Sequence, residues 1–494
     1  MTVMAVWCEK SPDPALNLAL SVGKIARCRQ KTRSVLKNVS QARLSTRLDM
    51  VHWSKTVSYS ASTRPATPNR ITPLLSMVPS SPPPASPNTP CLVDIVGLGQ
   101  DRPADHDRCH QVIQAADVLV AGERILTEFP DFSGERIVIK APLSSVLEKL
   151  DQARDAGRRV VVLVGGDPCF YGIGPLLARR WGRENVRLHP ATTTLQAAAA
   201  LLGIAWQGVA TVSLHGRNRT TPLFAVLGRH PWVAVYTDHL HTPAILAAML
   251  LERGADNLRM WVFENLGLAD QRWGMFPLEE AQTHVFSPLN LVLLERFQEP
   301  EIRLTLGMSE QAYVHEQGMI TKPMVRAAAL AALSLEPENL LWDLGAGCGS
   351  VGIEAGLFLP AGGVVAVEKE ARRVVMIRKN VRRTNAFWVH VLQGRMPNCL
   401  PGLPEPDRIF LGGGLSQGDG LLETVCTRLR PGGRLVAALV LLESLEQVRG
   451  HLDRLHWPVE LIQVQVSHAT PLAGGVRLNA QNPVFLISSR KPDS

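Results

Sequence analysis

The chain lacks any stretch of about 18 consecutive uncharged apolar residues, so the sequence offers no transmembrane helix. It is also short of cysteine organisation. Eight cysteines stand at positions 8, 28, 91, 109, 169, 348, 399 and 426, with no C-x-x-C pair and no histidine partners at metal spacing. That excludes a disulfide framework and a zinc site, and leaves small buried hydrophobes of a reducing cytoplasm. A G-x-x-x-x-G-K-[ST] loop with its basic partner is missing too, so nothing resembles a diphosphate cradle. The formal charge of +8 at first suggests a nucleic-acid partner, but residues 1–90 hold 12 Lys/Arg against 3 Asp/Glu. The other residues balance 40 against 41, so the body carries no basic excess for a polyanion groove.

Between these absences lies an α/β texture. With 494 residues the chain exceeds one hydrophobic core, and its 46% hydrophobic content and mean hydropathy of +0.05 suit buried sheets. Residues 1–90 show no sustained period and end in MVPSSPPPASPNTP (77–90), a composition that cannot bury a core. This Arg/Ser-rich segment resembles a transit peptide, but an upstream start codon, with Met77 as the physiological one, is the preferred expectation. From Cys91 apolar runs alternate with amphipathic stretches. LVDIVGLG (92–99), RRVVVLVGGDP (158–168), ATVSLHG (210–216), WVAVYT (232–237) and LNLVLLE (289–295) are expected strands. SSVLEKLDQARDAG (144–157), TTTLQAAAALLG (192–203) and TPAILAAMLLERG (242–254) are expected helices. The charged RFQEPEIR (296–303) is expected to connect domains, and the alternation restarts at about 304 as a doubly wound domain. The expected domains are therefore 1–90, 91–298 and 304–494.

The loop LWDLGAGCGSVGIE (341–354) ends a strand at Asp343 and then places Gly345, Gly347 and Gly349 in alternation. The dinucleotide fingerprint needs glycine or alanine at the sixth position, where this chain has Ser350. Glu368 ends the next strand, 25 residues past Asp343, where an acid can take both hydroxyls of a ribose. A nucleoside without phosphates, S-adenosylmethionine, fits this loop better than NAD. Gly394, in LQGRMPNCL (392–400), follows the third strand of that domain, where adenine is often clasped. In GMITKPMVR (318–326), Pro323 opens a helix, and Thr321, Lys322 and Arg326 are candidates to hold an anionic group near the cofactor. No metal-binding residues are expected.

The order G-x-I-T-K-x-x-V-R, W-D-x-G-A-G-x-G-S, F-x-G-G over 304–494 resembles the precorrin-6B C15-methyltransferase (decarboxylating) family. Over 91–297, VGLG (96–99), VGGDPCFYGIG (164–174), TTTLQ (192–196), SLHGR (213–217) and FENLG (263–267) resemble the tetrapyrrole methylase family, in particular its precorrin C5-methyltransferases. The first loop departs from that family, reading VGLGQD where a proline and a glycine usually follow the second glycine.

The resemblance implies an N-terminal two-subdomain tetrapyrrole methylase fold followed by a Rossmann-like class I S-adenosylmethionine-dependent methyltransferase domain. It implies a cofactor held by Gly97, Gly99, Gly165, Gly166, Asp167, Thr193 and Thr194 in the first fold. In the second it implies Asp343, Gly345, Gly347, Gly349, Glu368 and Gly394. His215 and Arg217 are implied substrate contacts. Together the two blocks look like the fused corrinoid methyltransferases of cobalamin biosynthesis. Those use two S-adenosylmethionines to methylate C5 and C15 and decarboxylate the C12 acetate of a precorrin, with or without cobalt. The competing reading is a methyltransferase of another tetrapyrrole in which one site is only structural. A homo-oligomer in the cytoplasm, with a small-molecule macrocycle and neither nucleic acid nor membrane as partner, completes the expectation.

Overall fold

Short apolar runs form the central strands. The structure, a computed structural model, describes residues 92–99, 106–216, 220–316, 318–415 and 420–493. The segment 1–90 with Met77, and Arg217, lie outside the described residues.

The first sheet has the order β3-β2-β4-β1-β5 and is parallel throughout. Its strands are β1 (Val93–Leu98), β2 (Val118–Ala121), β3 (Glu135–Val138), β4 (Val160–Gly165) and β5 (Val186–His189). Central strands β1, β2 and β4 are almost wholly buried, which is why they read as continuous apolar runs.

The second sheet has the order β6-β7-β10-β8-β9. It comprises β6 (Ala210–Ser213), β7 (Trp232–Tyr236), β8 (Leu258–Glu264), β9 (Arg272–Pro277) and β10 (Asn290–Arg296). Only β6 and β7 are parallel; β10 runs antiparallel to β7 and β8, and β9 folds back on β8. Side chains alternate across this sheet. Val233, Val235, Val292 and Leu294 pack under the helices Thr221–Leu227 and Pro243–Glu252, beside Leu223, Phe224, Leu246 and Leu250. Ala234, Leu291 and Leu293 face the other way, toward Leu195 and Ala198 of the helix Thr194–Leu202 and toward Phe170 and Tyr236.

The third sheet has the order β13-β12-β11-β14-β15-β19-β16. Strands β11 (Leu340–Leu344), β12 (Gly363–Glu368), β13 (Val389–Gln393), β14 (Arg408–Leu411) and β15 (Arg434–Leu439) are parallel. β19 (Val484–Arg490) inserts antiparallel between β15 and β16 (Val459–Val464). β17 (Ser467–Leu472) and β18 (Gly475–Ala480) form a separate two-stranded ribbon, with β18 exposed along its whole length.

Between Arg296 and the turn at Glu310 there is no helix or strand, but this connection is stitched down. Ile302 N–H donates to the Arg383 carbonyl at 2.9 Å, and Arg383 makes a two-pronged pair with Glu301 at 2.9 Å. The blocks on either side share one apolar cluster that runs from Leu223, Phe224 and Leu250 to Val364, Phe387 and Trp388. Trp388 lies against Gly228 and Gly356, where any Cβ would overlap the indole. Arg229 lies over its ring at 5.2 Å and donates to the Gly356 carbonyl, while Arg253 donates to the Phe387 carbonyl at 3.0 Å. The contact is core-like, unlike the polar seam typical of loosely tethered domains.

Candidate functional site

In the first two sheets the candidate residues gather where β1 and β4 end. Gly97 must be glycine, because a Cβ there would stand 2.6 Å from the Gly166 carbonyl oxygen and 2.9 Å from the Ala191 Cβ. The Gly166 N–H donates to the Leu98 carbonyl at 2.9 Å, locking the two loops together. Gly166 is left-handed at φ +74°, and Gly165 faces open space. The Asp167 carboxylate accepts the Cys169 N–H at 2.7 Å and so shapes the loop itself. Gly99 follows β1 and is half-buried.

Thr193 caps the helix Thr194–Leu202 through a reciprocal pair with Gln196: its hydroxyl accepts the Gln196 N–H, and its own N–H reaches the Gln196 side chain. The Thr194 hydroxyl donates to Tyr236 Oη at 3.0 Å, and burial raises the Tyr236 phenol above its usual range. His215 is exposed, and the next residue, Gly216, donates its N–H to the Asp238 carboxylate at 3.2 Å. Sequence reasoning missed Tyr171, although it lies in the quoted VGGDPCFYGIG. Its backbone is left-handed at φ +55°, and its hydroxyl donates to the Thr211 carbonyl of β6 at 3.0 Å. Phe170, Tyr171 and Tyr236 form a ring cluster with centroids 5.1–5.8 Å apart. The GGDP loop is thus braced from the first sheet onto the second.

In the third sheet, Gly345, Gly347, Glu368 and Gly394 meet at the C-terminal ends of β11, β12 and β13, the crevice where open α/β sheets bind ligands. Gly345, Gly347 and Gly349 are all left-handed, at φ +70°, +60° and +81°. A Cβ on Gly345 would stand 2.9 Å from the Gly413 carbonyl oxygen, and one on Gly349 would stand 2.8 Å from Ile377. Gly347 faces open space, and its N–H donates to Glu368 Oε2 at 3.0 Å. The other Glu368 oxygen accepts the Lys369 and Glu370 N–H groups at 2.9 and 3.1 Å. A carboxylate beside an open backbone face suits a nucleoside's ribose. Gly394 donates to the Glu368 carbonyl at 3.0 Å and leaves no room for a side chain beside Cys399. Asp343 lies underneath, 1% exposed, with its carboxylate accepting the Gly352 N–H at 2.9 Å. Burial, with a smaller push from the Glu368 charge, raises the Asp343 carboxyl to about 7.

The Thr321–Arg326 trio does not act together. Arg326 is fully buried and pairs with the equally buried Glu354 at 2.8 Å. It also donates to the Thr321 and Met308 carbonyls at 2.5 Å each. Glu354 further accepts the Gly307 and Met308 N–H groups and the Tyr313 hydroxyl at 2.8–3.0 Å. Arg326 is therefore a structural cation that staples residues 307–313 to the helix Ser350–Ala355, and buried there it does not face a substrate carboxylate. Lys322 remains partly exposed and pairs with Glu310 at 2.6 Å. Thr321 is half-buried and contributes its carbonyl to Arg326.

Among the described residues, no group of three or more His, Cys, Asp or Glu is arranged to hold a metal ion, and no helix is long and apolar enough to cross a membrane.

Glycine-rich loops thus end strands in two different α/β folds, and comparison with known proteins identifies each fold as a methyltransferase domain. A family model described as tetrapyrrole (corrin/porphyrin) methylases matches residues 95–282, and one described as a precorrin methyltransferase domain matches 311–491. The chain is 34% identical over 388 residues to a Sinorhizobium protein named precorrin-6Y C(5,15)-methyltransferase [decarboxylating], covering 77% of this chain and 92% of that one. It is also 33% identical to two separate Salmonella typhimurium proteins. One is a cobalt-precorrin-7 C(5)-methyltransferase, matched over 206 residues (42% of this chain, 100% of that one). The other is a cobalt-precorrin-6B C(15)-methyltransferase (decarboxylating), matched over 189 residues (38% and 97%). The chain belongs to the family of precorrin-6Y C(5,15)-methyltransferases (decarboxylating).

Proposed function

We propose that the chain methylates a precorrin macrocycle at C5 and C15 and removes the C12 acetate carboxylate, in cobalamin biosynthesis. The observation that carries this reading is the presence of both cradles in one chain that spans 92% of a fused relative. S-adenosylmethionine, bound once in each fold, would supply an electrophilic methyl to a ring carbon, departing as S-adenosylhomocysteine while that carbon gives up a proton. The chain's own residues then have to align and to exclude water rather than to perform strong acid–base chemistry. Gly97, Gly165, Gly166 and Asp167, with Thr193 and Thr194, would hold one donor. Gly345, Gly347, Glu368 and Gly394 would hold the other, Asp343 fixing the loop from below. Loss of carbon dioxide leaves its electron pair delocalised into the conjugated ring, and a proton taken up at the side-chain carbon completes the methyl group that replaces the acetate. Lys322 would exchange Glu310 for a macrocycle carboxylate, a role that Arg326 cannot share. The reading also includes a cytoplasmic homo-oligomer, which sedimentation of the purified chain tests.

The decisive experiment incubates the chain with S-adenosylmethionine and precorrin-6B, metal-free or cobalt-bearing, and reads product mass. Gain of two methyls and loss of one carbon dioxide is expected. One methyl with no decarboxylation would favour the competing single-site reading.

A further inference from the structure

The two cradles face away from each other. Strands β11–β14 run parallel, so Gly345, Glu368, Gly394 and Gly412 collect at one edge of the third sheet. The residues that touch the N-terminal block lie at the opposite edge. Gly363 opens β12 and approaches Thr221, Trp388 immediately precedes β13, and Gly356 closes the helix that leaves the donor loop. Asp256 pairs with Arg382 and Asn257 reaches Asn385, both at the far end of the helix Ala371–Thr384. Six residues of β12 separate the edges by roughly 17 Å.

In the N-terminal block the separation is by face. The contact sits on the helices covering Val233, Val235, Val292 and Leu294. The donor loop reaches the other face of that sheet, through Phe170 beside Ala234, Leu291 and Leu293, and through Thr194 against Tyr236. Between the two sites the space is filled by Leu223, Phe224, Leu246, Val364, Phe387 and Trp388, all at most 4% exposed. A macrocycle rimmed with carboxylates cannot cross such a core without shedding its hydration, a cost no contact there repays.

We infer that the chain has no internal passage between its methylation sites, and that the macrocycle leaves the protein between the two transfers as a free, singly methylated intermediate. This rests on the functional reading above. Fusion then fixes the stoichiometry of the two activities and does not shelter the intermediate.

Isotope dilution on the wild-type chain tests this. The chain converts precorrin-6B with trideuteromethyl donor in the presence of a tenfold excess of light, singly methylated macrocycle. That pool is prepared with whichever single-site variant, Gly97→Val or Gly345→Val, still turns the substrate over; its remaining transfer shows that it is folded. The expected result is that product carrying two heavy methyls falls by about the dilution factor, roughly tenfold, because free intermediate mixes by mass action. Product that keeps both heavy methyls despite the pool would overturn the inference. Absence of any methyl transfer would remove the functional reading, and this inference with it.

Discussion

The C-terminal glycine loop turns on three left-handed glycines, whereas the N-terminal one has a single left-handed glycine and adds side-chain braces that reach a second sheet. Three glycines with φ of +60° to +81° let the chain turn at 345–349, and the next strand lends one carboxylate, Glu368. The GGDP loop has a single left-handed glycine, Gly166, followed by a left-handed tyrosine. It keeps its form because Asp167 accepts a local N–H and Tyr171 reaches across to Thr211. The difference is one of error tolerance. A backbone-coded loop fails when glycine is replaced, while a braced loop can lose a strut and weaken by degrees.

The largest effect should come from beneath the backbone-coded loop. Arg326→Met leaves the Glu354 carboxylate buried without its cation, and losing one partner of a buried pair costs about 3–5 kcal/mol. Urea unfolding should show that loss; a change under 1 kcal/mol would mean the staple is idle. Asp343→Asn acts on the same loop through pH. Burial lifts the folded carboxyl to about 7 from 3.8, so between these values the native chain holds a proton that the unfolded chain has released. Stability contributed at this site therefore falls as pH rises from about 4 to about 7 and is flat above. The asparagine variant should lose that slope in denaturant midpoints, and an unchanged slope would refute the assignment.

Gly97→Val and Gly345→Val should each abolish one transfer and spare the other, by about a hundredfold or more, since misplacing a bound reactant by an ångström costs that much. Mass analysis separates the two methyls, and loss of both in either variant would erase the contrast drawn here. The smallest effect is expected for Tyr171→Phe. Removing one hydroxyl strut worth about 1 kcal/mol should raise the donor KM roughly fivefold at C5 and leave C15 unchanged. A fall in kcat with KM constant would point instead to a direct role in the chemistry.

Where burial is periodic, the fold could be read in advance. β1, β4, β11 and β12 are largely buried apolar runs, with motif glycines in or just after β1, β4 and β11 and Glu368 at the end of β12. The β8–β9 hairpin and the β17–β18 ribbon left little signal, because β9 and β18 lie largely in water and show no buried face. Arg326 was misread for a different reason. Its partner Glu354 lies 28 residues on, inside the very loop that drew attention, and a sequence shows neither the helix packing that joins them nor the depth at which they meet. Tyr171 was in plain view, but its strained backbone and its reach to β6 exist only once two sheets are apposed.

The seat of Trp388 between Gly228 and Gly356 bears on what a cut would do. Residues 297–303 have the composition of a tether, yet a protease nicking there would release nothing, because the apolar contact and the Arg253 and Asn257 hydrogen bonds would hold the fragments as one particle. A C-terminal fragment made alone would instead carry Trp388 uncovered into water, a sticky patch with only its missing half, or another copy of itself, to hide against.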